Sequence, residues 1–279
     1  MWGAAIVVFR EVFEIAIILC VILAATKGIT QRGKWINLGI LGGIVAAALL
    51  GIATQTLSSL AGPTGQQYFN AGVLLTAVIM IGWTVIWMKR HSMTIVKDLK
   101  AVGSAIHSGE KPLHMLAVVV GLAVMREGSE IVIFLYGMLA AGQTTLMGAL
   151  VGSAIGLALG VGFGFLMYYG LIRFSVKYLF QVTSVLLTFI AAGMAANAAG
   201  KLVKAGLLPI LTPAVWDTSS ILPQHSLFGR FLYILLGYQE HPSGMQCLFY
   251  AATILVIFYF IRRGNAITHK RVAPTPDLV

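Results

Sequence analysis

Six residues stand out because charge does not belong where they lie. Arg10, Glu11 and Glu14 form the run REVFE, and Arg126, Glu127 and Glu130 form REGSE, each inside a long apolar stretch. Residues three and four apart share a helix face, so Glu11 and Glu14 project together and Arg10 can pair with Glu14 across one turn. The same holds for Glu127, Glu130 and Arg126. Two such helices facing each other present four carboxylates and two guanidiniums, a formal charge of −2 if all are ionised. Carboxylates crowded in a low dielectric repel one another, and a multivalent cation relieves that repulsion. Oxygen ligands without thiolate or imidazole suit hard cations, a class that includes ferric iron. His91, His107, His114, His225, His241 and His269 all fall in loops or at span edges in this reading, which argues against a buried zinc site. The competing explanation is that each Arg–Glu pair is a buried salt bridge that only fixes helix packing.

The stretches that hold these residues are of membrane-crossing length. Hydrophobic residues make up 58% of the 279-residue chain and charged residues 10%, against about 25% charged in a typical soluble domain. Mean hydropathy is +0.90. Apolar stretches of about 20 residues span a bilayer, and seven are expected, near 4–26, 36–60, 68–88, 113–141, 145–172, 178–200 and 245–261. At 1.5 Å per residue, Glu11–Glu14 lie roughly 15–20 Å below one membrane surface and Arg126–Glu130 roughly 20–25 Å above the other. Both motifs thus reach the middle of a core about 30 Å thick. Each central charge costs about 2.5–3.5 kcal/mol, so three in one span cost roughly 8–10. Such helices must turn their charges toward protein or water.

The net charge of +10 is read as topology rather than nucleic-acid binding. With seven spans, 14 loop and tail Lys/Arg fall on one side and only Lys201, Lys204 and Arg230 on the other. Excess Lys/Arg marks the cytoplasmic face, placing the N-terminus outside and the C-terminus inside. The first span lacks a basic n-region and is interrupted by three charges, so it is not read as a cleavable signal peptide. Cys20 and Cys247 fall at different depths and are expected to be unlinked apolar packing residues. The 11 methionines show no pairing in the spans and are read as gap fillers.

The chain also repeats. The second span places Gly39, Gly43, Ala47 and Gly51 on one helix stripe, and the fifth places glycines at 148, 152, 156, 160 and 164. Small residues at four-residue spacing let a neighbouring backbone approach closely. A three-span unit used twice must invert in the bilayer, a recurrent transporter design with its site at the repeat interface. The fold class is therefore all-α: seven transmembrane helices as a 3+3 inverted repeat plus one extra. A single transmembrane domain covers 1–262, with repeat one at 1–90, repeat two at 113–205, an outer loop at 206–244 and a seventh helix at 245–262. Residues 263–279 are expected to form a disordered cytoplasmic tail. The basic segment 89–112, with Ile95, Leu99, Val102 and Ile106 at helical spacing, reads as an amphipathic helix on the inner membrane surface. The stretch 227–237 is apolar but short, and reads as interfacial or re-entrant.

Taken together, these residues resemble the oxidase-dependent iron permeases, which include fungal high-affinity ferric permeases and bacterial EfeU-type permeases. The resemblance covers nearly the whole chain and rests on the paired motifs Arg10–Glu14 and Arg126–Glu130 and on WMKR at 87–90. WDTSSIL at 216–222, HSLFG at 225–229 and GYQE at 237–240 complete it. It implies a seven-span permease of the cytoplasmic membrane that moves iron inward, with Glu11, Glu14, Glu127 and Glu130 as iron ligands. Iron is then a transported substrate, with no permanently bound cofactor. The resemblance also implies extracytoplasmic protein partners that oxidise or deliver iron. The family motif is usually Arg-Glu-Gly-Leu-Glu; Val12-Phe13 replaces Gly-Leu here and Ser129 replaces the Leu, which puts close helix approach at Val12 in question. Asp217 and Glu240 are the only acids of the outer loops and are candidates for a relay feeding the central site, or for ordinary loop polarity. Transport of lead or manganese is the neighbouring reading. An intramembrane metallopeptidase would need histidines in the spans or an H-E-x-x-H pair, and neither exists, so no enzymatic activity is expected; a purely structural scaffold would leave four membrane glutamates without a role.

Overall fold

A computed structural model describes the backbone of residues 1–60, 62–170, 176–204, 206–207, 211, 213–224 and 226–271. Side chains are described for these except 57–60, 62–67, 88–96, 176–177, 179–180, 227 and 264–271. The described residues form eight helices: α1 (Trp2–Ala25), α2 (Arg32–Leu60), α3 (Gly62–His107), α4 (Met115–Ala140), α5 (Leu146–Tyr168), α6 (Val176–Lys204), α7 (Leu227–Leu236) and α8 (Gly244–Arg271). Five are long and apolar enough to cross a membrane, within α2, α3, α5, α6 and α8. The other two long helices, α1 with 24 residues and α4 with 26, are those interrupted by the charged motifs. The all-helical, multi-pass character expected from composition is what the chain adopts.

Local signals set several boundaries. Thr145 caps α5 by accepting a hydrogen bond on its hydroxyl oxygen from the Gly148 amide at 3.1 Å, satisfying one of the donors that every helix start leaves open. Ser226 does the same for α7 through Gly229 at 2.9 Å. Gly237 ends α7 with φ of 70°, a left-handed cap that costs glycine nothing. At ten residues α7 is about 15 Å long, too short to span, as its sequence indicated.

Each glycine stripe packs along a helix that carries a charged motif. α5 lies along α1, and α2 lies along α4. A Cβ at Gly156 would sit 2.5 Å from the Ala5 carbonyl oxygen and 3.0 Å from Val8 Cβ. One at Gly43 would sit 2.8 Å from the Gly121 carbonyl oxygen and 2.6 Å from Val124 Cβ. The correspondence continues along both pairs: Gly152 faces Met1 and Ala4 as Gly39 faces Ala117 and Val120, and Gly164 faces Ala16 as Gly51 faces Val132. α3 pairs with α6, and α8 packs on α6 and, less extensively, on α3.

Two features depart from expectation. Segment 89–107 is no separate surface helix but the continuation of the 46-residue α3. Leu99 and Ile106 are buried against Ile22, Ile36, Leu116 and Val120 instead of resting on lipid, because an apolar stripe suits a bundle end as well as a bilayer surface. His91 accordingly lies within the helical span of α3 rather than in a loop. α8 continues to Arg271, eight residues past Arg263; residues 272–279 and His225 lie outside the described residues.

Candidate functional site

The motifs occupy the gap between two apolar clusters. One gathers Val7 of α1, Leu74 and Ile81 of α3, Phe134 and Met138 of α4, and Met194 of α6. The other gathers Ile22, Ile36, Leu99, Leu116, Val120 and Val124. On α1 and α4 alike, the charged run sits between the residues that join one cluster and those that join the other. Glu11, Glu14, Glu127 and Glu130 are all buried, at 5% exposure or less, and Arg10 is 1% exposed.

Helix geometry places the pairs as their spacing indicated. Arg10 Nη2 lies 2.7 Å from Glu14 Oε1, four residues on, and Arg10 Nη1 donates to Glu11 Oε1 at 2.7 Å. Arg126 Nε stands 3.6 Å from Glu130 Oε1 and 3.7 Å from Glu127 Oε1. One carboxylate oxygen from each of Glu11, Glu14 and Glu127 lies within 4.8 Å of the others, so residues 116 positions apart converge. Glu130 stands at the edge of this group, where its Oε2 accepts from the Thr84 hydroxyl of α3 at 3.0 Å. No protein donor reaches the buried Glu11 Oε2 or Glu127 Oε2 except that each of the two carboxyls is in hydrogen-bond reach of the other. Buried polar oxygens are normally paired, and a pair of carboxyls left to each other has coordination capacity to spare.

The departures from the usual motif have local answers. Val12 meets its neighbour helix at Gly160, where a Cβ would lie 2.7 Å from Val12 Cγ1, while Gly128, its counterpart on α4, faces Ala47. Bulk and space have changed sides, and close approach survives. The Ser129 hydroxyl donates to the Met125 carbonyl at 2.6 Å, one turn back, and asks nothing of the site.

Thr84 is a residue that sequence reasoning missed. Thr84 shares its apolar span with Thr76 and neither carries a motif signal; only the packing of α3 on α4 reveals the partner of Thr84.

At the end of the bundle where α1 begins and α4 ends, the segments around WDTSSIL and GYQE pair with each other. The Val215 amide donates to the Pro242 carbonyl at 2.9 Å and the Thr218 amide to the Glu240 carbonyl at 3.1 Å. Asp217 and Glu240 separate in this ribbon. Glu240 lines a cavity of about 670 Å³ with Gln143, Gln224, Arg230 and Tyr233, and its Oε2 accepts from the Gln224 amide at 2.7 Å. Asp217 points to solvent, closing a turn on the Ser219 amide and hydroxyl at 2.9 and 2.7 Å, with His241 Nδ1 at 3.3 Å. Those Ser219 hydrogen bonds, helped by His241, hold the Asp217 carboxyl below the usual carboxylate range. Cys20 and Cys247 are free thiols.

Long apolar helices that turn every motif carboxylate inward define a multi-pass membrane protein with its motif carboxylates kept inside the bundle. The chain belongs to the iron permease FTR1 family, which matches residues 1–268. It is 35% identical to the ferrous iron permease EfeU of Escherichia coli O6:K15:H31 over 284 residues, covering 98% of this chain and all of that protein. It is 35% identical to that of Shigella sonnei, over 95% of this chain and 98% of the relative, and 32% identical to that of Yersinia pestis, over 95% and 96%. The permease names of these relatives point to a transporter. No solved structure matches the chain.

Proposed function

We propose that this protein imports iron across the cytoplasmic membrane, and that Glu11, Glu14, Glu127 and Glu130 bind the ion on its way. The observation that carries the site is the convergence of Glu11, Glu14 and Glu127 oxygens within 4.8 Å between two apolar clusters. A cation there relieves the repulsion between the converging carboxylates. Arg10 fixes the rotamers of Glu11 and Glu14 and offsets their charge, so that the empty site does not fly apart; Arg126 does so more loosely for Glu127 and Glu130.

In this reading α1 to α6 and α8 are the seven spans. α1–α3 and α4–α6 are two inverted repeats that exchange partners, so each motif helix seats on the glycine stripe of the other half. The residue-for-residue match between the α1–α5 and α2–α4 contacts supports that arrangement. The N-terminus lies outside and the C-terminus inside, following the loop charges. Asp217, turned to solvent, is the point where an extracytoplasmic iron-oxidising or iron-delivering protein hands the ion over, and Glu240, facing the outer cavity on the same ribbon, receives it next.

The test is radio-iron uptake by reconstituted vesicles, wild type against Glu14→Gln and Glu130→Gln, at several pH values and with manganese or lead as competitors. Both substitutions keep shape and remove charge, and both are expected to abolish uptake. Protons compete with metal for carboxylates, so wild-type uptake should decline as the pH falls. Full uptake by either variant removes that glutamate from the path. A parallel Asp217→Ala, Glu240→Ala double variant should lose uptake at low iron only; unchanged uptake there ends the relay.

A further inference from the structure

The fold treats the two motif arginines differently. Arg10 is 1% exposed and lies 2.7 Å from both of its glutamates. Arg126 has a side chain 43% exposed, stands 3.6 and 3.7 Å from its glutamates, and lays its guanidinium 4.7 Å above the Trp87 ring. The cause is a groove of about 470 Å³ between α3 and α4, with Ile79, Met80, Trp83 and Thr84 on its α3 side and Arg126 and Glu130 on its α4 side. Its lips, Ile79 and Trp83, are 71% and 68% exposed and apolar; its interior carries the polar strip Thr84, Glu130 and Arg126.

Glu130 belongs to the groove and to the motif at once. Its Oε1 faces Arg126 and its Oε2 takes the Thr84 hydroxyl. Hydrocarbon is a poor occupant, because a guanidinium at this depth requires solvent or a counter-charge and the carboxylates beside it are not in tight contact. We propose that the α3–α4 groove is filled with water and is the branch through which the buried glutamates exchange their cation with solution, past Glu130, with Arg126 at the mouth. The inference deepens the iron-permease reading and rests on it. It assigns the two halves unequal roles: the Arg10 half holds the ion, and the Arg126 half opens.

Thiol labelling tests this directly, because the thiolate that reacts forms readily only where water solvates it, and a contrast of about 10-fold or more is expected. In a Cys20→Ser, Cys247→Ser background, Met80→Cys in the groove is compared with Leu159→Cys, which is 50% exposed on the outer face of α5. A small cationic methanethiosulfonate should modify Met80→Cys much the faster in membranes, and ferrous iron should slow that reaction while leaving Leu159→Cys unaffected. Equal rates at the two positions overturn the proposal, whether lipid or a second copy of the chain fills the groove. Fast labelling that iron does not slow overturns the route as well, since the groove is then wet but off the path. Uptake by the same vesicles keeps the two claims apart: a failed labelling contrast with uptake intact sinks the route alone, whereas a cysteine-free parent that takes up no iron sinks the function beneath it.

Discussion

At the scale of single residues, two arginines in matching sequence contexts should behave unlike each other when removed. Arg10 is sealed among carboxylates, and breaking a buried pair by deleting one partner costs about 3–5 kcal/mol. Arg126 has a half-exposed side chain and long ion-pair distances, so its removal should cost about 1 kcal/mol or less. Melting curves in detergent should therefore drop steeply for Arg10→Ala and little for Arg126→Ala; equal drops contradict the packing described. The pairing of Arg10 with Glu14 was legible in the four-residue spacing. The inequality was not, because it depends on where α3 lies. Asp217 offers a second residue-level check. Its carboxyl is held low by Ser219, so the stabilisation it provides is complete above the ordinary aspartate range and disappears only as the pH falls through its lowered value. Ser219→Ala should move its titration upward, read by carbon NMR of labelled aspartate; an unmoved titration means that Ser219 is not the cause.

At the scale of helices, the glycine stripes give paired tests within one element. Gly156 faces the α1 backbone, whereas Gly162 has nothing within 4 Å of where a Cβ would stand; on α2, Gly43 faces α4 and Gly42 faces open space. Overpacking a tight contact costs about 1–3 kcal/mol or more. Gly156→Leu and Gly43→Leu should unfold or inactivate the protein, while Gly162→Leu and Gly42→Leu should leave both melting and uptake near wild type. Tolerance of Gly156→Leu would show that α1 and α5 are not in the contact described. The sequence made these stripes visible on α2 and α5 alike. It did not reveal that the α2 stripe serves α4 and the α5 stripe serves α1, because four-residue periodicity names a face and not its partner. The same ambiguity misplaced segment 89–107: Leu99, Val102 and Ile106 mark one apolar face, and only tertiary contact distinguishes a bundle end from a lipid surface.

For the molecule as a whole, the decisive relation is that between the charged layer and the apolar clusters on either side of it. With Leu74 and Phe134 closing one side and Leu116 and Ile22 the other, all at 1% exposure or less, the glutamates are cut off from both ends of the bundle. A permeation path along the bundle axis must open each plug in turn, and while both are shut exchange is confined to the α3–α4 groove. Truncating one plug residue removes contacts from the closed state without touching the motifs. A core Leu→Ala change costs about 2–5 kcal/mol, enough to shift a two-state equilibrium by tenfold or more wherever the open state loses less. Leu116→Ala should therefore release preloaded radio-iron from the protein faster than wild type, with equilibrium iron binding little changed. Leu122→Ala, on the same helix but 55% exposed to the surroundings, should not. If both variants release iron at the wild-type rate, the Leu116 cluster is a static core and the barrier to permeation lies elsewhere.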